Sequence, residues 1–147
     1  MWRTLKEFAG WYWDPAQEDA LSQRIRVPSN AVKSLDWLFE LVLFREGQYQ
    51  AEMLVMYAQS EAVPHRHPDV DSMDVHLAGT GQAFIGGRLM PQAALGAAAM
   101  STRRRIVIPR NVVHYGKAET DVVVISLQKW HNDVEPTFIT DNWEYMG

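Results

Sequence analysis

From about residue 36 onward the chain is a succession of short apolar runs broken by turn residues, and this spacing limits its folding more than any other feature. Leu35 to Phe44 and Gln50 to Ala58 flank Glu46-Gly47-Gln48, which reads as a hairpin. Val75 to Leu77 and Gln82 to Ile85 flank Gly79-Thr80-Gly81, and Gly86-Gly87 forms the next turn before Arg88 to Met90. Arg105 to Ile108 and Val122 to Leu127 complete the set. Six or more short strands with glycine-rich turns and little convincing helix predict an all-β fold, a small antiparallel barrel or jelly roll. Gln92 to Met100 is alanine-rich, but Pro91 and Gly96 argue for a loop with a short strand.

The segments outside this pattern are aromatic. Residues 1–34 read as an N-terminal arm carrying Trp2, Phe8, Trp11, Tyr12 and Trp13, with Asp14-Pro15 ending one local structure or capping a short helical turn. Residues 35–130 read as the barrel and 131–147 as a C-terminal extension with Trp143 to Tyr145 as a second arm. A barrel this short has edges to cover, so aromatic arms suit a two-fold interface and a homodimer is expected. With 147 residues a single core is the natural reading.

Composition excludes several functions. The formal net charge of −4 gives no general attraction to nucleic acid or anionic lipid. The longest apolar stretches fall far short of the ~20 residues that cross a bilayer, and no signal-peptide pattern follows Met1, so cytoplasmic residence is expected. Cysteine is absent, which removes disulfides, iron–sulfur clusters, thiolate zinc sites and cysteine nucleophiles. No Walker loop, dinucleotide fingerprint, H-E-x-x-H or G-x-S-x-G is present. Any metal must therefore use imidazole, carboxylate or carbonyl ligands.

The five histidines carry most of the remaining information. His65 and His67 are two apart, so on an extended strand both imidazoles project to one face and Arg66 to the other. Downstream, Ile106 to Pro109 reads as a strand that turns at Asn111 and offers His114 on its return. Between Val63 and His114 the sequence resembles the cupin superfamily, whose motifs run loosely G-x5-H-x-H-x3/4-E-x6-G and G-x5-P-x-G-x2-H-x3-N. His65 and His67 match the histidine pair, Gly79 the closing glycine, and Pro109 and His114 the second motif. The opening glycines are replaced by Gln59 and Arg103, the turn glycine by Asn111 and the final asparagine by Ala118.

The motif's glutamate falls on Asp71 at the shorter spacing and on Ser72 at the longer. Side-chain alternation favours Asp71, because that register also turns Met73, Val75 and Leu77 inward. Asp74 and His76 are the second candidates, and a site of His65, His67 and His114 alone is the third option. The resemblance implies a divalent metal, iron(II) favoured and nickel, manganese, zinc or copper possible. It also implies an enzyme acting on a small polar or anionic molecule, with iron(II)-dependent dioxygenation leading. A non-catalytic cupin, binding a metal or small ligand as sensor or assembly subunit, is the alternative. Met53, Val55, Tyr57 and Phe84 are expected to form the apolar wall, with Tyr57, Phe84 and Arg105 contacting substrate. Arg105, with Arg103 and Arg110, would attract an anion, although such a run is more often a solvated edge. His131 reads as a surface histidine beside Trp130.

Overall fold

The computed structural model describes residues 31–92 and 105–146. The chain runs as β1 (Val32–Ser34), β2 (Leu38–Glu46), β3 (Tyr49–Met56), β4 (His65–Arg66), β5 (Val70–Ala78) and β6 (Gly81–Ile85). It continues as β7 (Arg88–Gln92), β8 (Arg105–Ile108), β9 (His114–Ala118), β10 (Val122–Trp130), a 3₁₀ turn (Ile139–Asp141) and β11 (Glu144–Tyr145). Two antiparallel sheets result: a six-stranded one in the order β1-β2-β3-β10-β5-β8 and a five-stranded one in the order β11-β4-β9-β6-β7. From β3 to β10 the chain passes repeatedly from one sheet to the other, which is the winding of a jelly roll. The aromatic cluster at Trp2 to Trp13, the alanine-rich stretch from residue 93 to 100 and Arg103 lie outside the described residues.

The expected turns divide into two kinds. Gly47-Gln48 and Gly86-Gly87 close true hairpins, β2 with β3 and β6 with β7. Gly79-Thr80-Gly81 does not, because β5 and β6 belong to different sheets and the chain crosses between them there. Gly79 holds φ +89°, and a Cβ at this position would collide with the carbonyl oxygen of Asp121. Only glycine fits that crossing.

Register decides which side chains face the interior. Val124 of β10 sits opposite both Leu54 of β3 and His76 of β5, and Ser126 sits opposite Glu52 and Asp74. These residues point into the space between the sheets, where Val70, Ala83, Ile106, Ile108, Ala118, Val122, Trp130 and Ile139 are also buried. The other face of the six-stranded sheet carries Phe39, Leu41, Met53, Val55 and Val123, all buried together with Val32. Both faces of this sheet therefore bury apolar side chains, the inner one together with polar groups. That is why the sequence register slips by one residue: Met53, Val55 and Tyr57, expected to wall the interior, belong to the opposite face, and Leu54 and Met56 take their place.

A polar seam runs through the interior beside the C-terminal segment. Glu40 and Glu52 are 0% exposed. Glu40 accepts hydrogen bonds from the Thr140 hydroxyl at 2.7 Å and the Thr140 backbone N–H at 3.2 Å. Glu52 accepts from Gln128 at 2.7 Å and from the Ile139 backbone N–H at 3.1 Å. Gln128 in turn accepts from Gln50 and from the indole of Trp130, both at 3.0 Å. Burial pushes both carboxyl groups upward, Glu52 to about 8. These two carboxyls hold the 3₁₀ turn against the sheet and so set where the chain beyond it goes.

Candidate metal centre

β4 is two residues long, and its one registered partner on β9 is His65 opposite His114. Directly paired residues project to the same side, so the two imidazoles meet, with ring centroids 4.3 Å apart. His67, two residues after His65, projects the same way, and its ring lies 5.1 Å from that of His65 and 4.8 Å from that of His114. The Pro109 to Asn111 turn is tied to this stretch because the Asn111 N–H donates to the His67 carbonyl at 2.9 Å. Asn111 takes φ +64°, the left-handed position that the family fills with glycine and that asparagine tolerates. All three histidines are buried.

Each imidazole is oriented by a backbone carbonyl. His65 Nδ1 lies 2.7 Å from the oxygen of Val63, His67 Nδ1 2.8 Å from that of Asn142, and His114 Nδ1 2.9 Å from that of Val112. A carbonyl only accepts, so each Nδ1 carries the proton and each Nε2 presents a lone pair. Burial lowers the basicity of all three, His65 to about 4 and His67 to about 3, with the neighbouring His114 adding repulsion to both. At neutral pH the cluster is therefore uncharged. Yet the Nε2 atoms of His67 and His114 are 3.1 Å apart, two lone pairs facing each other inside the protein.

A cation resolves that conflict. Nitrogen ligands of one transition-metal ion at about 2.0–2.1 Å lie about 3.0–3.4 Å from one another, which is the spacing His67 and His114 already have. The ligand nitrogens of all three histidines fall within 4.8 Å of one another. The donor set is neutral imidazole without thiolate or carboxylate, which suits iron(II), nickel, copper or zinc better than magnesium or calcium. His65, His67 and His114 fit a divalent transition-metal ion with open coordination positions.

The C-terminal segment completes the surroundings, and the sequence offered no sign of it. The Asn142 carbonyl orients His67, and the Trp143 ring stacks on His65 with centroids 3.6 Å apart at 17°. Trp37 packs on Trp143 at 5.5 Å. Asp69 fixes the segment by accepting from the side-chain amides of Asn142 at 2.9 Å and Asn132 at 2.7 Å, and these bonds hold its carboxyl below the usual range. Separations of more than 70 residues link the Asn142 amide and carbonyl to Asp69 and His67, and no local spacing marks them. Trp143, which the sequence places in a C-terminal aromatic arm, packs on a site imidazole.

Several expected site residues stand elsewhere. Asp71 points to the outer face, where it accepts from the Arg110 backbone N–H at 2.8 Å and lies 2.7 Å from His131 Nε2; it secures the loop rather than joining the histidines. Ser72, which the longer motif spacing reaches, is buried and lines the cavity. Asp74 and His76 also face inward without joining the three-histidine group, and His76 donates to the Ala78 carbonyl at 2.9 Å. Phe84 stacks on Tyr115 at 4.3 Å, while its neighbours Ala83 and Ile85 line the cavity. Tyr57 packs with the buried cluster on the far face of the six-stranded sheet. Arg105 opens β8 opposite Val75, but its side chain lies outside the described residues.

The three histidines open onto a cavity of about 120 Å³ between the sheets, walled by apolar side chains such as Leu54, Met56, Ile106 and Val124. No family model and no curated protein matches the sequence. Solved structures do. An RmlC-like cupin from Shewanella frigidimarina superposes with a TM-score of 0.58 at 14% identity, covering 69% of this chain and 85% of that one. The chain has the cupin fold. The KdgF structure from Halomonas sp. gives 0.57 at 16% identity over 69% of this chain and 87% of that one. Salicylate 1,2-dioxygenase from Pseudoaminobacter salicylatoxidans gives 0.57 at 13% identity, covering 84% of this chain and 31% of that one. In cupin terms the histidines stand at the motif positions assigned from the sequence, on the inner side of the five-stranded sheet.

Proposed function

We propose that this chain is a cupin-type metalloenzyme in which His65, His67 and His114 hold one divalent transition-metal ion and a small organic substrate occupies the cavity beyond it. The reaction we propose is iron(II)-dependent dioxygenation. One observation carries the reading: three neutral imidazoles, each fixed through Nδ1 by a carbonyl, bring their ligand nitrogens within 4.8 Å of one another beside a mostly apolar cavity, those of His67 and His114 to 3.1 Å. Bound iron(II) would supply the open positions at which dioxygen is bound and activated, with the substrate as the source of the electrons that reduce it. The chain's own residues orient the ligands, and the apolar walls limit water around the substrate.

Metal analysis of untagged protein purified without oxygen, followed by oxygen-uptake assays on small aromatic and aliphatic substrates, tests the proposal. About one iron per chain and substrate-dependent oxygen consumption, lost in His114→Ala while the fold is kept, is the expected outcome. A second reading has support in Ser72, which stands where the longer motif spacing has a glutamate: a non-catalytic cupin that binds a metal or small ligand as sensor or assembly subunit. Metal bound in full, no turnover, and a large loss of thermal stability in His114→Ala would select it.

A further inference from the structure

The cavity carries polar groups besides the histidines. Asp74 on β5 lines it together with Ser72 and Ser126. Register places Asp74 directly opposite Ser126 on β10, with its carboxyl deep between the sheets. Among the described residues that line the cavity there is no Lys, Arg or Glu, so Asp74 is the single carboxylate in a mostly apolar lining. Ser126 hydrogen-bonds to it, and Oδ1 is buried without any partner. Burial raises this carboxyl to about 6, the response of an acid short of donors.

Nearly all buried polar atoms in folded proteins have a partner, and one without a partner costs about 1–3 kcal/mol. The position is also unforced, because a leucine or valine would extend the walls already formed by Ile106 and Val124. We propose that Asp74 is the specificity-determining residue of this cavity, selecting a small, mostly apolar molecule through a hydroxyl or amino group that donates to its carboxylate. The inference deepens the proposed function and rests on it for the ligand's other end, which would approach the histidines. It narrows the sequence expectation of a small polar or anionic molecule to the polar class, since a buried carboxylate repels an anion. The cavity, about 120 Å³, is of the same order as the about 150 Å³ apolar cavity that holds benzene, which restricts the ligand to a small molecule.

The test uses the full chain at pH 7.5, metal-free and cobalt(II)-loaded, with phenol, benzylamine, toluene and benzoate as probes in ligand-observed NMR titrations. Phenol and benzylamine should bind about tenfold or more tighter than toluene and benzoate, one unmade hydrogen bond to a charged group being sufficient for that ratio. Asp74→Val should abolish the preference and strengthen toluene binding. If that variant does not fold, Asp74→Asn should weaken benzylamine about tenfold and phenol much less, because the amide still accepts but carries no charge. Equal affinity for all four probes, no probe binding, or a preference unchanged in the variants would overturn the proposal. Cobalt(II) absorption separates the two ideas: failure to bind cobalt sinks the metal reading, whereas normal cobalt binding without probe selectivity sinks this one alone.

Discussion

Gln59 holds φ +63°, a left-handed backbone conformation that costs a residue with a Cβ about 1–2 kcal/mol, and it stands where the cupin motif has its opening glycine. Its N–H donates to the Ala118 carbonyl at 3.0 Å and its side chain to the Glu119 carbonyl at 2.7 Å, an exposed bond of small net value. Gln59→Gly keeps the first bond and relieves the strain, so it should stabilise the protein by about 0.5–1 kcal/mol. A urea-unfolding midpoint at or below that of the wild type would refute this. Trp143 presents a second residue-scale case. Removing the ring that stacks on His65 frees that imidazole to rotate, and loss of such outer support typically costs 10–100-fold in metal affinity. Trp143→Ala should therefore weaken cobalt(II) binding by about that factor in a spectroscopic titration, and Trp143→Phe by much less. The histidines were legible because strand geometry at i and i+2 is local. The Asp71 or Ser72 choice was not, because it was argued from apolar burial and the sheet buries apolar side chains on both faces.

The 3₁₀ turn at Ile139–Asp141 is attached to the sheets by carboxyl groups that favour their protonated form, and this has a pH signature. Glu52 has a folded value of about 8 against an ordinary 4.5, so the folded state binds its proton more tightly than the unfolded chain does. Its contribution to stability is present in full below about 4.5 and is lost as pH rises through about 8. The lowered histidines are still partly protonated in the unfolded chain near 6.5 and oppose this decline until about 7.5; above that they are neutral in both states, so the decline from about 7.5 upward belongs to the buried carboxyls. Glu52→Gln keeps an oxygen that can accept the Ile139 N–H and removes the ionisation. Urea denaturation at pH 7.5, 8 and 8.5 should show stability falling for the wild type and falling distinctly less for the variant. Parallel curves would refute the assignment. Most strands were readable from alternating apolar runs and glycine turns. β11 was not, since an element that short carries no period and exists through its pairing with β4.

At the scale of the molecule the two sheets differ in how firmly they are joined. β10 pairs along almost its whole length with both β3 and β5, whereas β4 meets β9 at His65↔His114 alone and β11 holds only β4. The candidate metal ligands lie on both sides of that thin seam, two from the β4 stretch and one from β9. An ion held by all three would act as a staple there, and its binding free energy would appear mainly as resistance of this edge to local opening. A ligand at about 1,000 times its Kd stabilises the state that binds it by about 4 kcal/mol, and the gain should be largest where the backbone is least paired. Hydrogen exchange in the zinc-loaded and chelator-treated protein should therefore differ most in residues 63–69 and 142–146, with protection there falling on chelation by about tenfold or more. The amides of β3 and β10 should change little at early times. Uniform loss of protection in both sheets would mean that the histidines support the whole fold, and no change in either segment would mean that they hold no ion.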